Sequence, residues 1–324
     1  MEDLRIYCDA RLSDSALQLL RRGAAPYQLL FPQSPGASVL AVVAADPAIL
    51  QADVALGQPA VASVLQAGRL RWLHITSAGF TRYDTPEFRA AATARGLVVT
   101  NSSTVYAEAC AEHLLAFILA QARLLPEALG TRYESGPSRW EQLRNGSVRL
   151  QNQEAVILGY GAIAARLVQM LAPFRMKITA LRRRPRGDEG IAIVTPENLT
   201  AALSTADHVI DILPDNADSA RFVSAERLAQ MKPGAIFYNI GRGATVDQPA
   251  LAAALQSGHL GAAWLDVTDP EPLPPDHFLW TAPRCHITPH TAGGHQNEAE
   301  TLVRHFLDNL QCFAAGSPLL DRIM

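Results

Sequence analysis

Three polar side chains that can do acid–base and anion chemistry follow three separate apolar segments in the second half of the chain. Arg242 comes after AIFYNIG, Glu271 after AAWLDVTDP and His290 after CHITP. Open α/β sheets bind ligands at the carboxyl ends of their strands, so side chains at three such ends can converge on one crevice. An arginine there can bind a carboxylate with its planar fork, and a histidine beside a carboxylate can donate or accept a proton.

A glycine turn precedes these segments. In AVILGYGAIAARL, Gly159 and Gly161 stand between a four-residue apolar run and a helical pattern, and Ala164 completes G-x-G-x-x-A. The first glycine permits a tight turn, and the second lets the backbone approach a pyrophosphate, which binds the free N–H groups of the helix. We therefore expect the residues of this turn to bind a dinucleotide: Gly159, Tyr160, Gly161, Ala162 and Ile163.

Arginines follow where a dinucleotide fold usually presents an acid to the ribose 2′-hydroxyl. The segment about twenty residues after the turn reads LRRRPR and includes Arg182 and Arg183. A 2′-phosphate needs cationic donors, whereas a bare ribose diol prefers a carboxylate. The segment favours NADP as the cofactor, with NAD possible, and a solvated basic turn is the alternative interpretation.

Each of the three strand-end residues also has an ordinary interpretation when it is taken alone. An isolated arginine is usually a salt-bridge partner, a glutamate in a proline-rich loop is usually solvated, and a lone histidine is usually a satisfied core or surface residue. Their order along the chain, after a dinucleotide-type turn, favours the catalytic interpretation. We predict Arg242, Glu271 and His290 as the catalytic residues.

Composition narrows the class of protein. The 324 residues are 48% hydrophobic and 18% charged, with a formal net charge of -3, as in a globular chain of two domains. Nothing in this balance favours nucleic acid or an anionic membrane as a partner. MEDLRIYCDA has no signal-peptide pattern and HLLAFILA is far shorter than the roughly 20 residues of a membrane span, so we expect a cytoplasmic protein. Four scattered cysteines without metal-ligand spacing predict core thiols and no metal site: Cys8, Cys110, Cys285 and Cys312.

Two series of short apolar runs alternate with helical patterns. The first series reads LRIYCD, YQLLF, VLAVVAA, RWLHIT and GLVVTN, and the second reads AVILG, KITAL, HVIDIL, AIFYNI, AAWLDV and CHITP. Continuous rather than alternating apolarity is typical of parallel strands buried on both faces. A long apolar helix, AEACAEHLLAFILAQARLL, separates the two series. The chain is therefore predicted to form two α/β units with parallel sheets.

Taken in their order along the chain, the sequence motifs resemble those of one family. GYGAIA, the ILP of Ile212–Pro214, NIGRG, LDV, the EPLP of Glu271–Pro274, and TPH followed by AGG are similar to the D-isomer-specific 2-hydroxyacid dehydrogenases. That family includes glyoxylate/hydroxypyruvate reductases and phosphoglycerate dehydrogenases. The resemblance extends over nearly the whole chain, because ITSAGFTRYD is similar to the family's substrate-carboxylate loop.

The resemblance implies a discontinuous architecture. A flavodoxin-like substrate domain would comprise residues 1–101 and 291–324, with a Rossmann-type dinucleotide-binding domain, residues 102–290, inserted between them. The active site would lie in the cleft between the two domains. A homodimer is also implied.

The resemblance further implies hydride transfer between NAD(P)H and a small 2-keto acid or D-2-hydroxy acid. His290 would be the acid/base, Glu271 would hold its other ring nitrogen and favour the imidazolium, and Arg242 would bind the substrate carboxylate. Substrate binding would also involve backbone N–H groups around Ser77, Ala78 and Gly79. Asp266 would face the nicotinamide. The implied cofactor contacts after the glycine turn are Leu213, Pro214, Ile240, Gly241, Arg242, Asp266, His290 and Gly293.

Some residues depart from the family pattern. Trp264 is bulkier than the small or aliphatic residue expected before LDV, and Asp215 and Asn216 replace the more usual Leu-Thr after the proline. Trp140 is either part of a loop that shapes a neighbouring pocket or an ordinary surface anchor. A dinucleotide-sensing regulator on the same fold is the alternative function. The sequence does not decide which 2-keto acid is the substrate.

Overall fold

The computed structural model describes residues 3–34, 36–38, 40–41, 44–132 and 137–324, and of residue 137 only the backbone. Within it the chain forms two compact units. The first unit comprises Met1–Tyr106 and Gly294–Met324, and the second, Ala107–Gly293, is inserted between these two segments. The inferred domain boundaries after residues 101 and 290 stay a prediction.

The first unit is a five-stranded parallel sheet covered by helices. Its strand order is β2-β1-β3-β4-β5, with every neighbouring pair parallel. Numbered along the whole chain, its elements are β1 Arg5–Cys8, α1 Asp14–Gly23, β2 Gln28–Leu30, β3 Val54–Gly57, α2 Val61–Gln66, β4 Trp72–Ile75, α3 Pro86–Arg95, β5 Val98–Thr100 and α11 Glu298–Ala315.

Local sequence signals explain where the helices of this unit begin and end. Ser13 accepts a hydrogen bond from the Ala16 N–H at the start of α1, and Thr85 does the same for Phe88 at the start of α3. Gly96 ends α3 in the left-handed conformation, with φ 65°, which glycine adopts without steric cost. The caps follow directly from residue type and spacing.

One predicted strand of the first unit lies partly outside the described residues. The run VLAVVAA includes residues 39, 42 and 43, which the structure does not describe, and its described members are not in a strand. The strand β3, Val54–Gly57, within DVALG, was not predicted from the sequence, and all four of its residues are buried. This run is short and ends in glycine, so its apolar pattern alone does not distinguish it from a loop.

The second unit is a seven-stranded parallel sheet in the order β12-β11-β10-β9-β6-β7-β8. Its strands are β6 Glu154–Leu158, β7 Lys177–Leu181, β8 Ala192–Val194, β9 His208–Asp211, β10 Ile236–Asn239, β11 Ala262–Leu265 and β12 Cys285–Ile287. Its helices are α5 Leu125–Leu129, α6 Pro137–Gly146, α7 Ala162–Leu171, α8 Leu199–Leu203, α9 Ala225–Gln230 and α10 Gln248–Gln256. The short strand β8 is absent from the sequence prediction. The predicted fold class is confirmed, since both sheets are parallel and one unit is inserted into the other.

The central strands of this sheet are buried on both faces and tolerate polar groups only when these are paired. His208 on β9 is buried, and its ring nitrogens lie 3.0 Å from the Tyr238 hydroxyl and 2.6 Å from Gln153 Oε1. Burial lowers the pKa of His208 to about 4. This histidine is therefore neutral and structural at physiological pH.

Helix α4, Ser103–Ala122, runs from the end of the first unit into the second. None of the helices in the described ranges, α4 included, has the length and apolarity of a membrane span. The predicted burial of the cysteines is only partly correct. Cys8 and Cys110 are buried, whereas Cys285, on the edge strand β12, and Cys312 are partly exposed.

The core of the second unit yields a stability prediction. Phe237 on β10 is fully buried in the main cluster, whereas Phe278 is 41% exposed. We expect Phe237→Ala to lower the free energy of unfolding by about 3–5 kcal/mol because it leaves a cavity, and Phe278→Ala by about 1 kcal/mol or less. Urea unfolding followed by circular dichroism measures both. Equal losses for the two variants would contradict the position assigned to β10.

Candidate active site

The structure brings the predicted strand-end residues to one edge of the seven-stranded sheet. Strands β10, β11 and β12 are consecutive neighbours, and all are parallel. Arg242 follows β10, Asp266 directly follows β11, and His290 follows β12. Polar groups of three different loops therefore collect at the carboxyl ends of adjacent strands, where this class of sheet binds ligands.

Glu271 and His290 form a direct pair. His290 Nδ1 lies 2.6 Å from Glu271 Oε1. The side chains are 48% exposed for His290 and 37% exposed for Glu271. Because the carboxylate accepts the Nδ1 proton, Nε2 is the ring nitrogen left to exchange a proton with a ligand. The pair has the arrangement of an acid/base histidine oriented by a carboxylate.

Asp266 holds the loop that carries His290. Its carboxylate is buried and accepts hydrogen bonds from the Thr291 N–H and the Ala292 N–H, both at 2.9 Å, and from the Thr288 hydroxyl at 2.5 Å. The His290 N–H donates to the Asp266 carbonyl at 2.9 Å, and His290 has a left-handed backbone with φ 52°. These bonds sustain a conformation that is uncommon for a residue other than glycine. Asp266 therefore positions His290, which is a role that the resemblance did not imply.

Arg242 lies half-buried on a tightly packed turn. Its Nη1 donates to the Gly241 carbonyl at 2.6 Å, and its own carbonyl accepts from Asn239 Nδ2 at 3.0 Å. A Cβ at position 243 would lie 2.0 Å from the Thr268 carbonyl carbon. Glycine is therefore required after Arg242, because the loop that leads to Glu271 packs directly on it.

The glycine turn has the geometry that a dinucleotide phosphate needs. Gly159 has φ 97°, and a Cβ there would approach the Ile212 carbonyl oxygen at 3.3 Å. A Cβ at Gly161 would instead meet nothing within 4 Å, and the N-terminus of α7 has no side-chain cap. Open space in front of uncapped N–H groups fits a pyrophosphate.

A pocket of about 170 Å³ adjoins this turn. Residues lining it include Gly159, Tyr160, Arg182, Arg183, Leu213 and Pro214. Six residues expected to contact the cofactor therefore surround one cavity. Of the other implied contacts, Ile240 is buried behind the Arg242 turn, and Gly293 ends the second unit.

Two carboxylates that the sequence analysis did not identify already pair with the arginines of this pocket. Arg182 Nη1 lies 3.2 Å from Glu189 Oε1, and Arg183 forms an ion pair with Asp218. Glu189 also accepts from the backbone N–H groups of Arg186 and Gly187, at 2.7 and 2.8 Å. Glu189 lies only seven residues after Arg182, in RGDEG, so the sequence could have predicted this pairing. Asp218 lies 35 residues from Arg183, so only the fold brings the two together.

In the first unit, the segment Ser77–Gly79 follows β4 and is shaped by two side chains that the sequence analysis also missed. Gln58 Nε2 donates to the Ser77 hydroxyl at 2.9 Å, and Asn101 Nδ2 donates to the Ala78 carbonyl at 2.7 Å. The Ser77 hydroxyl donates to the Gly79 carbonyl at 2.5 Å. These contacts hold the segment in a defined conformation.

The two tryptophans left open by the sequence have different surroundings. Trp264 is buried on β11, where its Nε1 donates to Gln121 Oε1 at 2.8 Å and its ring lies 4.9 Å from Phe117 and 4.2 Å from His286 between centroids. It packs α4 on the sheet. Trp140 on α6 is half-exposed, and its ring is covered by the Arg144 guanidinium at 5.1 Å.

Comparisons with known proteins agree with this geometry. Residues 115–292 match the family model of the D-isomer specific 2-hydroxyacid dehydrogenase, NAD binding domain. The chain is 34% identical over 259 residues to a glyoxylate reductase of Aeropyrum pernix, covering 78% of this chain and 75% of that protein. It is 33% identical over 227 residues to a glyoxylate reductase/hydroxypyruvate reductase of Mus musculus, covering 69% of each.

A solved structure extends the similarity over almost the full length. It is that of an NADPH-dependent glyoxylate/hydroxypyruvate reductase from Sinorhizobium meliloti in complex with NADP and malonate. The TM-score is 0.73 at 25% sequence identity, with 99% of this chain and 97% of that chain covered. The glycine turn, the strand-end triad, the family model and these relatives agree, and the chain belongs to the D-isomer-specific 2-hydroxyacid dehydrogenase family of NAD(P)-dependent enzymes.

Proposed function

We propose that the protein reduces a small 2-keto acid to the D-2-hydroxy acid, with NADPH as the preferred cofactor and His290 as the proton donor. The observation that carries this proposal is the 2.6 Å contact between His290 Nδ1 and Glu271 Oε1, at the sheet edge that Arg242 also occupies. It is the arrangement that carbonyl reduction requires, because the reaction consumes one proton and acts on an anionic substrate.

His290 meets the charge that develops during the reaction. The reduced nicotinamide, when bound, supplies a hydride to the carbonyl carbon. The carbonyl oxygen then gains negative charge, and His290 Nε2 donates a proton to it. A positioned acid of this kind contributes roughly 10²- to 10⁴-fold in rate. In the oxidative direction, neutral His290 accepts the hydroxyl proton instead.

Glu271 keeps His290 ready to donate. A carboxylate 2.6 Å from Nδ1 fixes the plane of the ring and leaves Nε2 to exchange a proton with the ligand. Both side chains are more than a third exposed, so solvent screens the charge of Glu271. Orientation of Nε2 is therefore the contribution of Glu271 that the geometry supports.

Arg242 binds the substrate carboxylate in this proposal. Its guanidinium has a single described protein contact, from Nη1 to the Gly241 carbonyl, which leaves donors for a bidentate anion. Backbone N–H groups of Ser77–Gly79, in the first unit, are proposed substrate-binding groups on the resemblance alone. Small 2-keto acids are the proposed substrates: glyoxylate and hydroxypyruvate, which occur in the names of the relatives, and pyruvate as a similar small acid.

The preference for NADP rests on the pocket beside the glycine turn. Arg182 and Arg183 line that pocket, and in the sequence arginines rather than an acid directly follow β7, where a ribose diol would find its acceptor. Asp218 opposes the preference because it already pairs with Arg183. That pair is exposed and contributes little, so a doubly charged phosphate can displace the Asp218 carboxylate.

A cytoplasmic location, expected from the sequence pattern, and a homodimer, implied by the resemblance, are parts of the same proposal. Size-exclusion chromatography with light scattering measures the second of these. The value for a single chain is 35.0 kDa, and twice that mass is the expected result.

Removing His290 tests the proton donor. We expect His290→Ala to lower kcat with glyoxylate, hydroxypyruvate or pyruvate by about 100-fold or more, with NADPH affinity nearly unchanged. Steady-state kinetics and a fluorescence titration with NADPH measure the two quantities. His295→Ala is the matched control, because His295 is exposed and outside the proposed machinery. Normal turnover by His290→Ala would overturn the assignment.

Removing the carboxylate tests the pairing. In Glu271→Gln the amide oxygen still accepts the Nδ1 proton of His290, whereas Glu271→Ala leaves no acceptor at that position. We therefore expect kcat for the keto acid to fall clearly more in Glu271→Ala than in Glu271→Gln. Steady-state kinetics of both variants measure this difference. Equal losses of kcat in the two variants would contradict an orienting role of Glu271.

Cofactor choice tests the pocket. We expect NADPH to be oxidised in preference to NADH, and Arg183→Ala to raise the KM for NADPH by about tenfold with little effect on NADH. Asp218→Asn should lower the KM for NADPH, because it releases Arg183. Arg184→Ala is the control, since Arg184 does not line the pocket.

The outcomes of the cofactor experiment separate the hypotheses. A preference for NADH would retain the dehydrogenase and reject the role of the arginines. Tight dinucleotide binding without turnover of any 2-keto acid would instead support the dinucleotide-sensing regulator.

A further inference from the structure

A buried acid that the proposed reaction does not use lies beneath Arg242. Asp211 is the last residue of β9, between β6 and β10, and it is fully buried. Its Oδ1 accepts from the Leu213 N–H at 3.0 Å, and its Oδ2 contacts the Thr245 hydroxyl at 2.6 Å. Burial raises the pKa of Asp211 to about 7, although these two hydrogen bonds lower it.

Among the described residues, no charged neighbour accounts for the raised pKa of Asp211. β6 ends at Leu158 and is followed by Gly159, neither of which carries a charge, and β10 is followed by Arg242, whose Nη1 donates to the Gly241 carbonyl. One strand further, the Asp266 carboxylate is occupied by the His290 loop. Asp211 thus has two neutral hydrogen-bond partners among the described residues, and burial dominates its protonation.

Thr245 connects this acid to Arg242. The Thr245 hydroxyl lies 2.6 Å from Asp211 Oδ2 and also 2.6 Å from the Arg242 carbonyl oxygen. A hydroxyl has one hydrogen and cannot donate to both oxygens at once. When Asp211 is ionised, the hydrogen goes to the carboxylate, because charge-assisted hydrogen bonds are the stronger ones.

Protonation of Asp211 reverses this arrangement. The acid then donates to Thr245 Oγ1, and the hydroxyl hydrogen is free to turn to the Arg242 carbonyl. That carbonyl otherwise accepts from Asn239 Nδ2 at 3.0 Å and from the Thr245 N–H at 3.2 Å. The strong hydrogen bond to the Arg242 backbone is therefore made in one protonation state and lost in the other.

We propose that Asp211 is a positioning residue for Arg242, and that through the Thr245 hydroxyl its proton determines how firmly the Arg242 turn is held for an anionic substrate. The proposal rests on the proposed function, in which Arg242 binds the substrate carboxylate. Protonated Asp211 holds the turn and favours binding, and ionised Asp211 loosens it.

Protein stability tests the buried proton without reference to activity. An acid whose folded-state pKa is raised keeps a proton that the unfolded chain releases, so its ionisation makes stability fall as pH rises from about 4 to about 7. Asp211→Asn keeps both hydrogen bonds and cannot ionise. We expect its free energy of unfolding, relative to wild type, to increase over this range and to level off above about pH 7. A difference independent of pH would overturn the proposal.

Kinetics test the connection to Arg242. We expect the wild-type KM for the best keto acid to rise about three- to tenfold as pH increases through about 7, with Asp211→Asn keeping the low value throughout. Thr245→Val, which lacks the hydroxyl, should show the high KM at all pH values. Thr245→Ser, which keeps the hydroxyl, should show the same dependence of KM on pH as the wild type.

The two experiments distinguish a failure of the positioning role of Asp211 from a failure of the proposed function. The same pH dependence of KM in wild type and Asp211→Asn would overturn the positioning role, whatever their stabilities. If wild type reduces none of the tested keto acids, the proposed function fails, and the stability difference still decides whether Asp211 holds a proton.

Discussion

A parallel sheet covered on both faces admits polar side chains only where they are paired or where its strands end, and the rest of this protein depends on that constraint. Strands β9 to β12 are adjacent and parallel, so the loops after all four meet at one edge. Backbone groups inside the sheet are satisfied by neighbouring strands, whereas those in the loops need side-chain partners. The catalytic candidates and the residues that hold them therefore occur together.

Three carboxylates at this edge differ in burial and in what they do. Among the described residues, Asp211 is fully buried with two neutral hydrogen-bond partners, Asp266 is buried but accepts from two backbone N–H groups and a hydroxyl, and Glu271 is partly exposed beside His290. Burial penalises the charged form and hydrogen bonds favour it. The same kind of side chain thus occurs here as a fully buried acid, as an anchor of a loop and as the hydrogen-bond partner of His290.

In the pocket beside the glycine turn, acidic side chains of the protein already occupy the arginines that a ligand anion would use. Each arginine that lines it already has an acidic partner, Glu189 for Arg182 and Asp218 for Arg183. Glu189 is fixed by backbone N–H groups, whereas Asp218 is exposed. A phosphate bound here would meet one arginine that is firmly oriented and one that must exchange its partner, so its affinity would be a difference between two interactions.

The sequence by itself determined the fold class, the glycine turn and the strand ends that carry Arg242, Glu271 and His290, because buried parallel strands and helix caps are encoded in runs of a few residues. Only the tertiary structure decided that Asp266 anchors the His290 loop and that Asp211 reaches Arg242 through Thr245. It also showed β3, Val54–Gly57, which the sequence analysis did not identify as a strand. These features depend on strand order and on contacts between residues 25 to 35 positions apart, and no local pattern of side chains records which distant partners will meet.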